Sequence, residues 1–209
     1  MAAAAAAVCS PCLPVRAADD VWTIDPLHSA ARFTVRHLMI TDVTGEFKGL
    51  SGTVVYDGRS LERASVDAGI DASTINTRIK RRDDHLKSES VFDVRQFPTI
   101  SFKSSRVIPG PNGSFRIVGM LTMHGVAKEV TLDAQPLAPF KVDSSRHLHT
   151  LTSASAELNR KDFGISVDGA IDRGGALVGD TVKVDLTISL VRPQASGARS
   201  TESPPVMTE

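Results

Sequence analysis

Residues 182–190 read V-K-V-D-L-T-I-S-L, so Val182, Val184, Leu186, Ile188 and Leu190 alternate strictly with Lys183, Asp185, Thr187 and Ser189. In an extended chain successive side chains point to opposite faces, and this order puts every apolar group on one side and every polar group on the other. The pattern recurs in Phe115, Ile117, Gly119, Leu121 and Met123, and in Ala31, Phe33 and Val35 set against Arg32, Thr34 and Arg36. Further strand candidates are 47–56, 64–72, 99–107, 129–135 and 148–158. Turn formers separate them: Asp57-Gly58, Pro109-Gly110-Pro111-Asn112-Gly113, Pro136, Pro139 and Gly174-Gly175. Residues 78–91 break the rhythm and predict a short helix, capped by Asp83 or Asp84 and ending near Ser90. One-sided strands with no βαβ alternation imply an all-β, antiparallel fold, either a sandwich or a closed barrel. A barrel removes the exposed strand edges and encloses a space, but periodicity alone leaves the two open.

The chain has 209 residues, a length suited to one domain. The reading divides it into a leader (1–20), one domain (21–192) and a tail (193–209) too poor in apolar groups to order itself. Lys and Arg number 24 and so do Asp and Glu, so no long-range field draws the protein to nucleic acid. No apolar run approaches the roughly 18–20 residues of a membrane-spanning helix. The two cysteines, Cys9 and Cys12, both lie in the leader, where C-S-P-C has no strand, helix or second cysteine pair around it to make a redox or zinc site. Ala17 followed by Asp19 and Asp20 has the look of a secretory cleavage region. The leader is atypical, with no Lys or Arg near Met1 and with Pro11 and Pro14 interrupting its apolar part. It is read as an imperfect export signal, which places the protein in the periplasm or outside the cell.

Several blocks are more specific. W-T-I-D-P-L-H-S (22–29) is followed by F-T-V-R-H-L (33–38) and V-T-G-E-F-K-G-L-S-G (43–52). R-D-D-H-L-K-S-E-S-V-F-D-V-R-Q-F-P-T-I-S-F spans 82–102 and V-G-M-L-T-M-H-G-V-A-K-E-V-T-L spans 118–132. L-N-R-K-D-F-G-I (158–165) and L-V-G-D-T-V-K-V-D-L (177–186) complete the series. In this order and spacing the chain resembles the YceI family of lipid-binding, lipocalin-like proteins. The resemblance implies an extended eight-stranded antiparallel β-barrel with one short helix capping an end. It also implies an apolar cavity for a long-chain isoprenoid or fatty-acid-like ligand, export to the periplasm, no cofactor, and often a homodimer. One departure stands out: the family's Asp-Phe-Phe-Asp is here Ser90-Val91-Phe92-Asp93, which lacks one charge and one ring.

Aromatic residues make up only 5% of the chain, which leaves little bulk to plug a barrel. Burying an apolar tail gains about 0.8 kcal/mol for each CH₂, so a few isoprene units bring binding toward micromolar affinity. The inward-facing candidates are Phe33, Val35, Phe102, Ile117, Leu121, Val184, Leu186 and Ile188. Phe47, Leu86, Phe92, Phe97 and Phe163 are candidates for a cavity end. His37, Arg82, His85 and Arg160 are candidate donors to a lipid headgroup, and Arg160 has the alternative of pairing with Asp162 or Asp93. His28 is read as organising a turn and His124 as a hairpin residue. His147 and His149 share a strand face and can ligate a metal, but no third ligand is spaced to complete a site, so no metal is expected.

The leading functional reading is a non-catalytic lipid carrier or sequestering protein. Its rival is a hydrolase or isomerase working on a small hydrophobic substrate, with His85 and Asp83, or His37, as acid and base. The domain has no G-x-S-x-G elbow, no H-E-x-x-H and no cysteine nucleophile, so no catalytic residue is assigned. A third reading is a stress-related or pigment-associated scaffold whose bound lipid is incidental.

Overall fold

Alternating strands of this kind bury one face each, and they do so here by curling into a tube. The computed structural model describes residues 21–37, 40–167 and 178–193. Its strands are β1 (Val21–Ile24), β2 (Ala30–His37), β3 (Thr41–Phe47), β4 (Ser51–Val55), β5 (Ser65–Asp71), β6 (Thr99–Pro109), β7 (Phe115–Met123), β8 (Val126–Ala134), β9 (Lys141–Val142), β10 (His147–Asn159) and β11 (Val178–Pro193). One helix, α1, spans Lys80–Lys87.

The long β11 is the spine. One edge pairs with β10 from His147↔Pro193 to Asn159↔Thr181. The other edge pairs first with β2 and then with β1. β1 and β2 therefore form a single interrupted position in the wall, and β3 and β4, paired to β2 and β1, form the next. From β4 the wall continues through β5, β6, β7 and β8 to β10, and β10 returns to β11. Among the described residues the result is a closed eight-stranded antiparallel barrel with one helix. β9 runs beside β10 below β8, and the amides of Gln135 and Ala138 carry the seam between them by bonding to Ser153 O and Leu151 O.

The interruptions have local causes. Between β1 and β2, Asp25 Oδ1 accepts from the Leu27 amide at 2.9 Å and Asp25 Oδ2 meets His28 Nδ1 at 2.6 Å, so His28 does organise a turn. His124 and Gly125, with φ of 51° and 75°, form the tight turn of the β7–β8 hairpin. At Gly52 (φ 144°) a Cβ would stand 2.2 Å from Asp67 O, so only glycine allows β4 to approach β5 this closely.

Three strands escape the sequence reading. β1 and β9 are short, and β3 has only Val43 and Phe47 as apolar groups, too few to show a period. The helix is also shorter than expected. Its N-cap is Ile79, not Asp83 or Asp84: Asp83 Oδ1 instead accepts from the Thr77 amide and hydroxyl, and Asp84 pairs with Lys80 at 2.7 Å. Pro193, read as the first residue of the tail, is the last of β11. The leader with Cys9 and Cys12, the rest of the tail and Gly174-Gly175 lie outside the described residues. Among the described residues no helix is long and apolar enough to cross a membrane.

The end of the barrel remote from α1, the lower end, is shut by a core of Trp22, Ile24, Leu50 and Leu190. Trp22 is 1% exposed, donates Nε1–H to Tyr56 O at 3.1 Å, stacks on Phe140 at 5.5 Å and lies under the Arg192 guanidinium at 4.6 Å. The upper end carries α1, which sits where β3 and the segment after β5 are joined by one bridge, Glu46↔Asn76.

Candidate functional site: an apolar cavity along the barrel

Between Leu148 and Leu158 the inward face of β10 is made of short side chains. Thr150, Thr152, Ala154 and Ala156 are all buried, and the two threonine hydroxyls donate at 2.7 Å to Ala138 O and Gln135 O. Their polar atoms are thus spent in the wall and little bulk enters the lumen. Gly119, in the register of inward residues on β7, would place a Cβ 2.5 Å from Lys103 O and 2.6 Å from the Phe102 ring, so a side chain there has no room and the ring packs against β7 backbone. Ala31 on β2 is equally small and buried. A wall lined this way leaves space that its own side chains do not occupy.

That space is divided into two cavities, of about 180 Å³ toward the lower end and about 390 Å³ toward α1. Both are lined by Phe33, Phe47, Met123, Leu158 and Val184, which mark the waist between them. The rings of Phe33 and Phe47 lie 5.6 Å apart, and Phe92 meets Phe47 edge-on at 5.9 Å. The upper cavity falls within the range of small-molecule pockets.

The structure brings most of the sequence-derived candidates to these walls. Phe102, Ile117, Leu121, Leu186 and Ile188 line the lower cavity, with Phe33, Phe47 and Val184 at the waist. Val35, His37, Arg82, His85, Leu86, Phe92 and Arg160 line the upper one. Two candidates do not belong. Phe97 packs edge-on against His124, 5.0 Å between rings, and over Gly125 on the β7–β8 hairpin. Phe163, 2% exposed, is packed with Val91 and Ile165 in a core of its own. Nearness to turns marks both as cavity-end candidates in the sequence, but their rings are consumed in holding those turns to the barrel. Thr152, Ala156, Leu158 and Thr77 line the cavities and were missed. The run of small residues on β10 is the signal that points to Thr152 and Ala156, whereas nothing local singles out Thr77 or Leu158.

The mouth of the upper cavity is its polar part. Arg82, on α1, donates through Nε to Thr77 Oγ1 at 2.7 Å and through Nη2 to Thr77 O at 2.8 Å. His37 and His85 have no side-chain hydrogen bond among the described residues, and their imidazoles remain open to an incoming polar group. Arg160 differs from both. It is 8% exposed and donates to Gly179 O (3.1 Å), Ile165 O (2.9 Å), Val178 O (3.3 Å) and Asp180 Oδ1 (2.9 Å). Its carboxylate partner is Asp180, neither Asp162 nor Asp93, because the backward turn at 160–164 aims the guanidinium at the start of β11. Its donors serve the wall.

On the outside of the lower end, the structure sets a third polar group beside His147 and His149. Asp143 Oδ2 lies 3.2 Å from His147 Nδ1 and 3.1 Å from His149 Nε2, brought there by the turn that precedes β10. The His147 amide bond to the Asp143 carboxylate, helped by the His149 and His147 side chains, lowers the Asp143 pKa from 3.8 to about 2. A depressed carboxylate stabilises the fold above its ordinary value and loses that contribution as pH falls through the lower one. The Asp143 carboxyl carbon, followed by NMR, is therefore expected to titrate with a midpoint near 2, with the Ser145 and His147 amide signals moving alongside it. A midpoint near 3.8 would show that the turn is not held this way.

Comparison with known proteins places these features. Residues 22–190 match the family model described as the YceI-like domain. A UPF0312 protein of Vibrio cholerae (strain M66-2) is 31% identical over 170 residues, which cover 81% of this chain and 89% of that protein. A UPF0312 protein of Staphylococcus aureus (strain N315) is 30% identical over 164 residues, 78% of this chain and 93% of that one. Among solved structures, Burkholderia cenocepacia BcnA superposes with a TM-score of 0.69 at 21% identity, covering 79% of this chain and 98% of its own. A polyisoprenoid binding domain from Saccharophagus degradans superposes with a TM-score of 0.62 at 17% identity, covering 82% and 98%. With its closed barrel, its helix α1 and a family match that runs from β1 almost to the end of β11, the chain belongs to the YceI-like domain family.

Proposed function

We propose that this protein binds a long-chain isoprenoid or similar amphiphilic lipid and carries or sequesters it without changing it chemically. The observation that carries the reading is the graded cavity: apolar walls along the barrel, a waist of Phe33 and Phe47, and His37, Arg82 and His85 at the α1 end. A tail threaded past the waist buries methylenes at about 0.8 kcal/mol each, and a polar head stays where imidazole and guanidinium groups can donate to it. The shared fold of the Saccharophagus degradans polyisoprenoid binding domain supports the same reading. The small residues at 17–18 followed by Asp19 and Asp20 support export to the periplasm or beyond.

The rival acid–base reading is disfavoured by geometry. Asp83 directs Oδ1 to the amide and hydroxyl of Thr77 and forms no hydrogen bond with His85, so the pair lacks the link that lets a carboxylate orient a catalytic imidazole.

The test is native mass spectrometry, with lipid extraction, of the full chain purified without detergent. One long-chain amphiphile per barrel is expected, and His85→Ala is expected to retain it. A barrel that emerges empty and takes up no polyprenyl phosphate or polyprenol when offered, or a His85-dependent turnover of either, overturns the reading.

A further inference from the structure

We infer that Asp143, His147 and His149 form a binding site for a divalent transition-metal ion of the zinc class on the outer face of the lower end, separate from the lipid cavity. The strand supplies the first half of the site. His147 and His149 are two residues apart on β10, and Leu148 between them packs inward with the Trp22 core. Both imidazoles therefore leave the same face at the spacing of one pleat. The turn supplies the rest. Asp143 closes back on β10 through its amide, which donates to His147 O at 3.0 Å. Its Oδ1 accepts from the amides of Ser145 (2.9 Å) and His147 (2.8 Å), which fixes the carboxylate plane and presents Oδ2 to the two rings.

The distances suit a coordination polyhedron. Metal–ligand bonds of about 2.0–2.2 Å at tetrahedral angles separate neighbouring ligand atoms by about 3.3 Å. Asp143 Oδ2 stands 3.2 Å from His147 Nδ1 and 3.1 Å from His149 Nε2, and all the ligand atoms lie within 4.8 Å of one another. Two imidazoles and one carboxylate are a borderline donor set that suits Zn²⁺, Ni²⁺ or Cu²⁺ and is too nitrogen-rich for Ca²⁺ or Mg²⁺. The side chains are 36–42% exposed, so an ion can enter and water can take the fourth position. The backbone amides on Oδ1 act as the outer shell that orients the carboxylate. Exposure and the cation of Lys141, the register partner of His149, keep the affinity in the micromolar range.

A bound ion would fasten the 143–147 turn to β10. That turn directly follows β9, which pairs with β10 through Lys141 and Val142 alone. Phe140, one residue earlier, stacks on Trp22, so the ion would also steady the segment that lies over the lower-end core.

The probe is Zn²⁺, titrated calorimetrically into the full chain carrying Cys9→Ser and Cys12→Ser, which removes the leader thiols as competing ligands. One Zn²⁺ per chain is expected, with imidazole NMR shifts confined to His147 and His149. His149→Ala is expected to weaken binding by roughly 100-fold, and Asp143→Asn, which keeps Oδ1 for the turn, by about 10-fold or more. His28→Ala, at the two-ligand His28–Asp25 pair, is expected to change nothing, and Ca²⁺ to give no signal. Absence of Zn²⁺ binding, or binding by His149→Ala that matches the parent, overturns the site.

Discussion

Ala156→Phe is expected to weaken binding of a long isoprenoid by roughly 100-fold while leaving the barrel folded. Ala156 is buried on β10, opposite Val184 in register, and lines the lower cavity next to the waist. A benzyl group there occupies the path of a threaded chain. If it denies the ligand about four methylenes at about 0.8 kcal/mol each, the loss is about 3 kcal/mol, which is the stated factor. The same ring fills space that the native side chains leave vacant, so its cost in packing strain is small and the melting temperature is expected to stay within a few degrees. Ser155→Phe, one residue earlier and on the exposed face, is the matched control and should bind as the parent does. Equal affinity of Ala156→Phe and parent for a polyprenol, measured by fluorescence displacement, would remove the lumen as the binding site.

Arg160→Ala is expected to destabilise the barrel severely. It strips a buried guanidinium from the carbonyls of Ile165, Val178 and Gly179 and from Asp180 in one step. Removing one member of such a buried charged network costs about 3–5 kcal/mol, because the acceptors left behind have lost both water and partner. For a chain of this size that corresponds to a fall of roughly 6–20 °C in melting temperature, read by calorimetry. Asp180→Asn is expected to cost far less. Asp180 is 42% exposed and keeps Lys161 beside it, so the ion pair is a minor part of what Arg160 does. If the two variants melt together, the carbonyl contacts are not what holds this segment.

The architecture was legible wherever a strand had one wet and one dry face. β7 and β11 repeat their apolar residues at every second position, and those residues line the cavities. β3 was invisible for the opposite reason: Thr41, Asp42, Thr44 and Glu46 are polar, and only Val43 and Phe47 carry its inward side. The ligand wall was half legible. Large side chains such as Phe33 and Leu186 can be assigned inward from their alternation. A cavity, however, is defined as much by what is missing, and Thr152 and Ala156 drew no notice because small residues look neutral in a sequence. The carboxylate partners of Arg160 and of the His147–His149 pair were missed because they come from tertiary turns. Asp180 is twenty residues from Arg160, and Asp143 reaches the histidines only once the chain reverses. Spacing along a chain carries no record of such reversals.

The placement of β11 has a bearing on how the molecule is made. Because β11 joins β10 to both β1 and β2, every earlier strand must wait for it before the ring can shut. Until residues 178–193 arrive on a growing polypeptide, β10, β1 and β2 each present an unsatisfied edge beside a greasy trough, and both invite aggregation. Pairing first with last is also kinetically slow, since it joins segments from opposite ends of the domain. Biogenesis of this barrel therefore ends in a single late zippering event, and a chaperone that shields the trough until then would raise its yield more than any catalyst of local folding.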